Sequence, residues 1–503
     1  MRVLSFSRFT TWFRVTHAAN PRRLRTAFLA ALAVVVVLMS VKYAAKIDKP
    51  SASGQQSRSA FLRWREMVNG VFAGENIYVG RNEYPNPPIM AVLLRPFTML
   101  PPTVGALAWF YAKVLLAVLA VVWVFRLLEE KGIVREGEKG RQGEGESARV
   151  ASEESSASVS LSPFRPFSPS LTTLPRDLAK GAAIVLCLPP LLGDLSHNNV
   201  NIFILFLVAG CLEAFRRRLD TLAGLTLALA VACKVTPLLF VAYFAYKRCW
   251  RALGATLVGL ALWLAVVPGL AFGWDRNREL MTDWYALMVE RPLLKGEITT
   301  EHPNQAITGF VYRLFTHSPS YIVYLKTPEG DLPTPGEYHN LADIGRPAAW
   351  VVVKALTACF ALAVMFLCRA PVRGPTDTRQ GWRIAAECGL ICLGMLLFSE
   401  RTWKHHATIL LLPFAALAYA VAVVELSRKV RAFIVGVLVG SFVLMAGPGL
   451  LGGRGADLAR VYGTHTIAFV LQAVAVGTLL ACGSRSADDV YGSRGAAREP
   501  IPI

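Results

Sequence analysis

Five short stretches gather side chains able to do chemistry. They are "NEYPNPP" (82–88) with Tyr84 and Asn86, "GDLSHNNVN" (193–201) with His197, Asn199 and Asn201, "CKVTP" (233–237) with Lys234, "EHPNQAITG" (301–309) with Asn304 and Gln305, and "SERTWKHH" (399–406) with Glu400, Arg401, Lys404, His405 and His406. Amides and imidazoles suit sugar hydroxyls, and lysine meets a phosphate as a point charge. Lys234 lies between two apolar halves, where an ammonium costs about 2.5–3.5 kcal/mol on insertion scales unless it finds a partner or water. It either snorkels from a helix end or holds an anionic head group such as a lipid phosphate. Asn198 or Asn199 can cap a helix beginning at "VNIFILF", and capping and ligand binding are compatible. Asn304 and Gln305 read either as turn residues or as sugar partners. His405 and His406, as helix neighbours, point about 100° apart, whereas zinc-binding helices place ligands four residues apart, so no metal site is expected. They read as a hydrated helix start or, with Arg401 and Lys404, as phosphate or hydroxyl partners. Glu400 is then an acid/base candidate.

The elements that must position these residues are membrane helices. The 503 residues are 54% hydrophobic and 17% charged, with a mean hydropathy of +0.43, too apolar for an ordinary soluble domain. Apolar runs of about 15–22 residues recur, matching a helix across a hydrocarbon core of about 30 Å, and no alternating barrel pattern appears. The expected fold is all-α and polytopic. The formal charge of +19 comes from Lys and Arg at the ends of apolar runs, which favours topology over nucleic-acid binding. The nine cysteines fall in or beside apolar segments, so no disulfide framework is inferred.

Arg22, Arg23 and Arg25 precede a first span at 27–45, which reads as a signal anchor with its N-terminus in the cytoplasm. "FRRRL", "YKRCWR", "CRAPVRG" and "SRKVR" read as cytoplasmic turns, so the segment holding Lys234 must leave and return. Its natural break is Lys234-Val235-Thr236-Pro237. About 12 crossings result, with both termini cytoplasmic and all five stretches on the outer side. A single crossing at 104–125 leaves 88–100 outside, broken by Pro96 and Pro101-Pro102. The expected organisation is an N-terminal region 1–125, a disordered cytoplasmic linker 126–178, a transmembrane core 179–482 with a long outer loop 272–348, and a cytoplasmic tail 483–503.

The ordered motifs "YPNPPIMAVLLRPFTMLPP", "NNVNIFILFLVAGCLEAFRRRLDTLAGLTLALAVACKVTPLLFVAYFAYKRCWRAL", "PNQAITGFVYRLF" and "SERTWKHHATILLLPF" resemble those of glycosyltransferase family 87. That family comprises polyprenol-phosphate-sugar-dependent integral membrane enzymes of the GT-C fold, including bacterial mannosyltransferases. The resemblance, from about 60 to 425 without the linker, implies transfer of a hexose or pentose, mannose-like, from a polyprenyl-phosphate donor to a lipid or glycan acceptor hydroxyl on the outer face of a bacterial-type cell (inner) membrane, usually with inversion. It implies no cofactor. It places Lys234 near the donor phosphate, Asn199 and Asn201 in place of a Gly-Gln-x-Asn turn, Asn304-Gln305 in the long outer loop, and His405-His406 in the late one.

One departure concerns the general base. Family members carry an aspartate in the first outer loop, upstream of an element matched here by "GENIY" (74–78). This chain has Ser59-Ala60-Phe61 at that place. Asp48, then Glu66, then Glu400 are the substitutes expected, and Arg63 can assist the phosphate. The rival readings are a transporter or lipid flippase, which would also use broken helices and an intramembrane lysine, and an inactive relative that binds a lipid-linked sugar.

Overall fold

The computed structural model describes residues 21–47, 59–79, 84–129, 173–291, 297–327, 330–372 and 379–495. In chain order the helices are α1 (Pro21–Ile47), α2 (Ala60–Phe72), α3 (Pro88–Thr98), α4 (Pro102–Leu128), α5 (Thr173–His197), α6 (Asn201–Arg216), α7 (Asp220–Cys233), α8 (Leu238–Tyr246), α9 (Trp250–Phe272), α10 (Trp274–Tyr285) and α11 (Ile307–Phe315). An antiparallel hairpin, β1 (Pro319–Thr327) and β2 (Gly330–Tyr338), follows. Then come α12 (Arg346–Leu367), α13 (Trp382–Leu397), α14 (Lys404–Val423), α15 (Arg428–Leu450), α16 (Gly452–Val461) and α17 (Thr464–Gly495).

The protein is all-α and multi-pass. Eight helices, α1, α4, α5, α9, α12, α14, α15 and α17, are long and apolar enough to cross a bilayer. The other four expected crossings fall on α6, α7, α8 and α13, of 16, 14, 9 and 16 residues. All four are shorter than the ~20 residues of an ordinary span. In α14, 78% of the apolar window is buried, against 6% in α1 and α12, so α14 is the centre and the other two face outward. α5 and α13 pack directly on α14, and α17 packs on α13.

The break at Lys234 forms as expected. Lys234 is extended (φ −157°, ψ 127°), and Pro237 starts α8. Glycines report the direction of the neighbouring helices. A Cβ on Gly224 would come within 2.3 Å of the Ala252 carbonyl oxygen, and one on Gly259 within 2.6 Å of the Ala228 methyl. Advancing along α7 therefore advances along α9, so the two helices run parallel. α8 must carry the chain back between them, the leave-and-return path that the basic turns suggest.

Several expectations need correction. The stretch 272–348, expected as a long loop, holds α10, α11 and the hairpin. Residues 88–98 form a continuous helix despite Pro96; its 11 residues rise about 16 Å, too short to cross. The linker expected at 126–178 is trimmed at both ends, since α4 runs to Leu128 and α5 begins at Thr173; residues 130–172 between them lie outside the described set. The last helix continues past 482 to Gly495. Charge also enters the core unannounced. Lys113, within the α4 apolar run, meets Asp194 of α5 at 3.0 Å with both side chains wholly inaccessible.

Candidate functional site

The site is built around the turn joining α5 to α6. Lys113 Nζ donates to Asp194 Oδ2 at 3.0 Å and to the Asp194 carbonyl at 3.1 Å. The other carboxylate oxygen, Oδ1, accepts the Asn201 backbone N–H at 3.2 Å and its side-chain Nδ2 at 3.0 Å. The Asn201 amide oxygen is thereby turned outward, and Lys234 Nζ donates to it at 2.7 Å. Asp194, and not Asn198 or Asn199 as expected, thus satisfies the first N–H of α6. Asn198 instead takes a left-handed backbone (φ 52°), and its amide donates to the Tyr43 hydroxyl at 2.8 Å and the Ala106 carbonyl at 3.0 Å. Tyr43 in turn shares a 2.7 Å hydrogen bond with Ser59, the position where the resemblance leads one to expect an acid.

Two cavities flank the histidine pair. The larger, of about 420 Å³, is lined by Lys46, Ala60, Arg63, Ser196, His197, Asn199, Trp403 and His405. None of these is acidic. Lys46 donates to the Ser196 carbonyl at 2.9 Å, and burial lowers the Arg63 guanidinium pKa from its ordinary value. The indole N–H of Trp403 is buried and donates to no protein partner among the described residues. The His197 and His405 rings lie 5.2 Å apart, and Asn199 Nδ2 donates to His405 Nε2 at 3.2 Å. The smaller cavity, of about 20 Å³, brings together Asn201, Lys234, Ser399 and His406. Consecutive histidines therefore serve opposite sides of one wall, as their angular separation requires. Val235, Leu238 and Leu239, beside Lys234, present exposed apolar surface.

The remaining candidates are not gathered there. Asn304, wholly buried, donates to the Thr299 and Glu400 carbonyls and accepts from the Thr402 and Ala306 N–H groups. Gln305 is equally buried and donates to the His302 and Arg460 carbonyls. With their polar atoms committed to backbone, both amides brace the loops and are not available to a sugar, which corrects that expectation. Tyr84 is buried against Trp64 and close to Cys233, while Asn86 accepts the Tyr78 hydroxyl through its carbonyl. They stand behind the Lys234 break rather than in a cavity wall. Glu400 accepts from Thr299 at 3.4 Å, and Arg401 donates to the same hydroxyl at 2.7 Å. Glu66 is exposed on α2, one turn after Arg63, and Lys404 is exposed beside His197. Asp48 lies outside the described residues. Among the described residues, no group of three or more His, Cys, Asp or Glu is placed to hold a metal ion.

The model of "Glycosyltransferase family 87" matches residues 84–399, more than half of the chain. The chain belongs to glycosyltransferase family 87. It is similar to a "Polyprenol-phosphate-mannose-dependent alpha-(1-2)-phosphatidylinositol mannoside mannosyltransferase" of Mycolicibacterium smegmatis, 27% identical over 231 residues. That match covers 45% of this chain and 43% of the relative, so the chain spans less than half of that protein's length in the alignment. Among solved structures it is similar to ArnT from Cupriavidus metallidurans. The form bound to undecaprenyl phosphate is 12% identical, with a TM-score of 0.35 over 95% of this chain and 82% of that one. The apo form is also 12% identical, with a TM-score of 0.37 over 91% and 78%.

In this family 87 chain the residues that sequence reading missed are Lys113, Asp194 as a working group, Lys46 and Trp403. Lys113 reads "YAKVLL", one charge in an apolar run. That charge was the available signal, since an intramembrane lysine implies a partner. Asp194 sat in a polar turn where a solvated carboxylate explained it equally well.

Proposed function

We propose that this chain is a membrane glycosyltransferase that moves a hexose or pentose, mannose-like, from a polyprenyl-phosphate donor to an acceptor hydroxyl on a lipid or glycan at the outer face of a bacterial-type cell (inner) membrane. The carrying observation is the cavity of about 420 Å³ whose described walls offer Lys46, Arg63, two imidazoles and an amide but no carboxylate. Such a wall suits an anionic phosphate bearing a polyhydroxylated sugar. The mannosyltransferase relative adds weight through the donor in its name, polyprenol-phosphate-mannose. Lys234, on the small-cavity side of the histidine wall, acts on the phosphate through its charge, and the apolar surface of Val235, Leu238 and Leu239 lies where a prenyl chain can follow.

In the reaction, the acceptor oxygen attacks C1 of the sugar and the C1–O bond to phosphate breaks. The electron pair stays on the phosphate oxygen, where Lys234 and Arg63 stabilise it, and the hydroxyl proton passes to a base. Asp48, Glu66 and Glu400 are the carboxylates expected from the sequence; of these, Glu66 and Glu400 do not line the cavity, and Asp48 lies outside the described residues. The orientation, with both termini cytoplasmic, is supported by α6, which begins at Asn201 beside the cavity and ends at Arg216 next to Arg217 and Arg218. The test is transfer from radiolabelled polyprenyl-phosphate sugars by the purified chain in lipid nanodiscs. Lys234→Ala should lower transfer by about 10²–10³-fold, the range for removing one preorganised charge-stabilising donor. Native rates in that variant would remove Lys234 from the mechanism.

A further inference from the structure

The proton of the acceptor hydroxyl needs a destination, and the described walls of the large cavity hold no carboxylate. Its nitrogen bases are His197 and His405, with His406 behind the same wall. Hydrogen bonds distinguish the three. An amide side chain can accept only through its oxygen, so the Val200 N–H, 2.7 Å away, faces Asn199 Oδ1. That fixes the orientation of the amide and turns its Nδ2 donor toward His405 Nε2 at 3.2 Å. His405 must meet this donor with a lone pair, so its proton sits on Nδ1. His406 is held in the opposite tautomer, because its Nδ1 accepts the Trp403 backbone N–H at 3.3 Å, leaving the proton on Nε2; its ring also bonds the Arg401 backbone. Each of these two rings has its lone pair occupied and acts only as a neutral donor.

His197 differs. It ends α5, lines the large cavity, and stands 5.2 Å from the His405 ring, with no hydrogen bond fixing its tautomer among the described residues. We infer that His197 is the general base of the transfer reaction, replacing the first-loop carboxylate, while His405 and His406 are tautomer-locked donors. The inference rests on the glycosyl-transfer reading above. As the acceptor oxygen bonds to C1, its proton moves to a His197 ring nitrogen. The C1–O bond to phosphate breaks with its electron pair going to the phosphate, and the imidazolium then releases its proton to water. The cation forms beside the phosphate that is gaining negative charge, which favours the step. The charged and titratable groups facing this ring are Lys46 of α1, Arg63 of α2, Asp194 of α5, and Lys404 and His405 of α14.

The test uses the full chain in nanodiscs with a polyprenyl-phosphate [³H]mannose donor and an alkyl mannoside acceptor, alongside direct binding of radiolabelled polyprenyl phosphate. His197→Asn should bind polyprenyl phosphate normally yet lose about 10²–10⁴-fold in kcat, the usual worth of a general base. The acidic limb of its kcat/KM profile should disappear. His197→Gln guards against a misfolded first variant, and added imidazole should restore part of the rate in His197→Ala. A native kcat in His197→Asn and His197→Gln, or an acidic limb that survives in them and vanishes in Asp48→Asn or Glu66→Gln, overturns the assignment. No transfer by the native chain from any polyprenyl-phosphate sugar overturns the functional reading itself, and the assignment with it.

Discussion

Asn201 is where a buried ion pair becomes a directed contact. Asp194 can accept from Asn201 on one oxygen only because Lys113 compensates its charge on the other, and the resulting amide orientation gives Lys234 a fixed partner. Replacing one member of a buried pair leaves an uncompensated charge and costs about 3–5 kcal/mol, whereas removing both charges is far milder. Asp194→Asn should therefore lower thermal stability in detergent by that amount, and Lys113→Gln with Asp194→Asn should recover most of it. The double variant should still transfer sugar poorly, because nothing then fixes the Asn201 amide toward Lys234. Recovery of both stability and transfer would show the pair to be structural alone. Legibility at this level was uneven. Lys234 stood out because a cation and a proline interrupt one apolar run. Lys113 did not, because its partner lies 81 positions away and no period links them. Asn304 and Gln305 looked like ligands because a sequence displays an amide without displaying the carbonyls that absorb it.

α10, α11 and the hairpin form a cap held by polar groups facing inward. Arg313 of α11 is wholly buried and donates to the carbonyls of Val461, Thr300, Glu301 and Asn304; burial pulls its pKa down to about 10. His302 lies against Ser320 of β1 and the Tyr321 ring, and its pKa is lowered by burial and then by Arg460. A ring whose folded pKa lies below the ordinary ~6.5 stabilises the fold fully above that value and loses the contribution as pH falls toward the folded pKa. Protection factors in the hairpin, taken relative to the intrinsic exchange rate at each pH, should therefore fall between pH 7 and pH 5, and His302→Gln should flatten that dependence; an unchanged slope would assign it to other groups. Among the membrane helices, the α7–α9 contact relies on absent side chains. Gly224→Val would push a side chain into the Ala252 carbonyl and the Ala255 methyl and should cost about 1–3 kcal/mol, read as a lower midpoint of thermal unfolding. The long spans were legible because lipid demands about twenty apolar residues. The fold of the cap was not, because its stability comes from an arginine and amides satisfied by distant backbone.

The whole molecule places chemistry at one end of its helices and most paired cytoplasmic-type charge at the other. The turn 194–201, the Lys234 break and the stretch 399–406 meet around the two cavities, while Glu213 with Arg126, Arg216 and Arg217, and Lys247 with Glu387, lie toward the opposite ends of the helices. α9 converts that polarity into a measurement of which leaflet supplies the donor. Its 23 residues rise about 35 Å, enough to cross the ~30 Å core, so Arg251 at its start and Arg278 just beyond its end must emerge on opposite sides. Both positions are exposed. With the exposed native thiols Cys359 and Cys482 replaced by serine, a membrane-impermeant maleimide on intact cells should label Arg278→Cys and spare Arg251→Cys until the membrane is opened. The reverse pattern would turn the cavity toward the cytoplasm and require a cytoplasmic-leaflet donor. Labelling of both from one side would mean that α9 does not cross, and the leave-and-return path of α7 and α8 that holds Lys234 would fall with it.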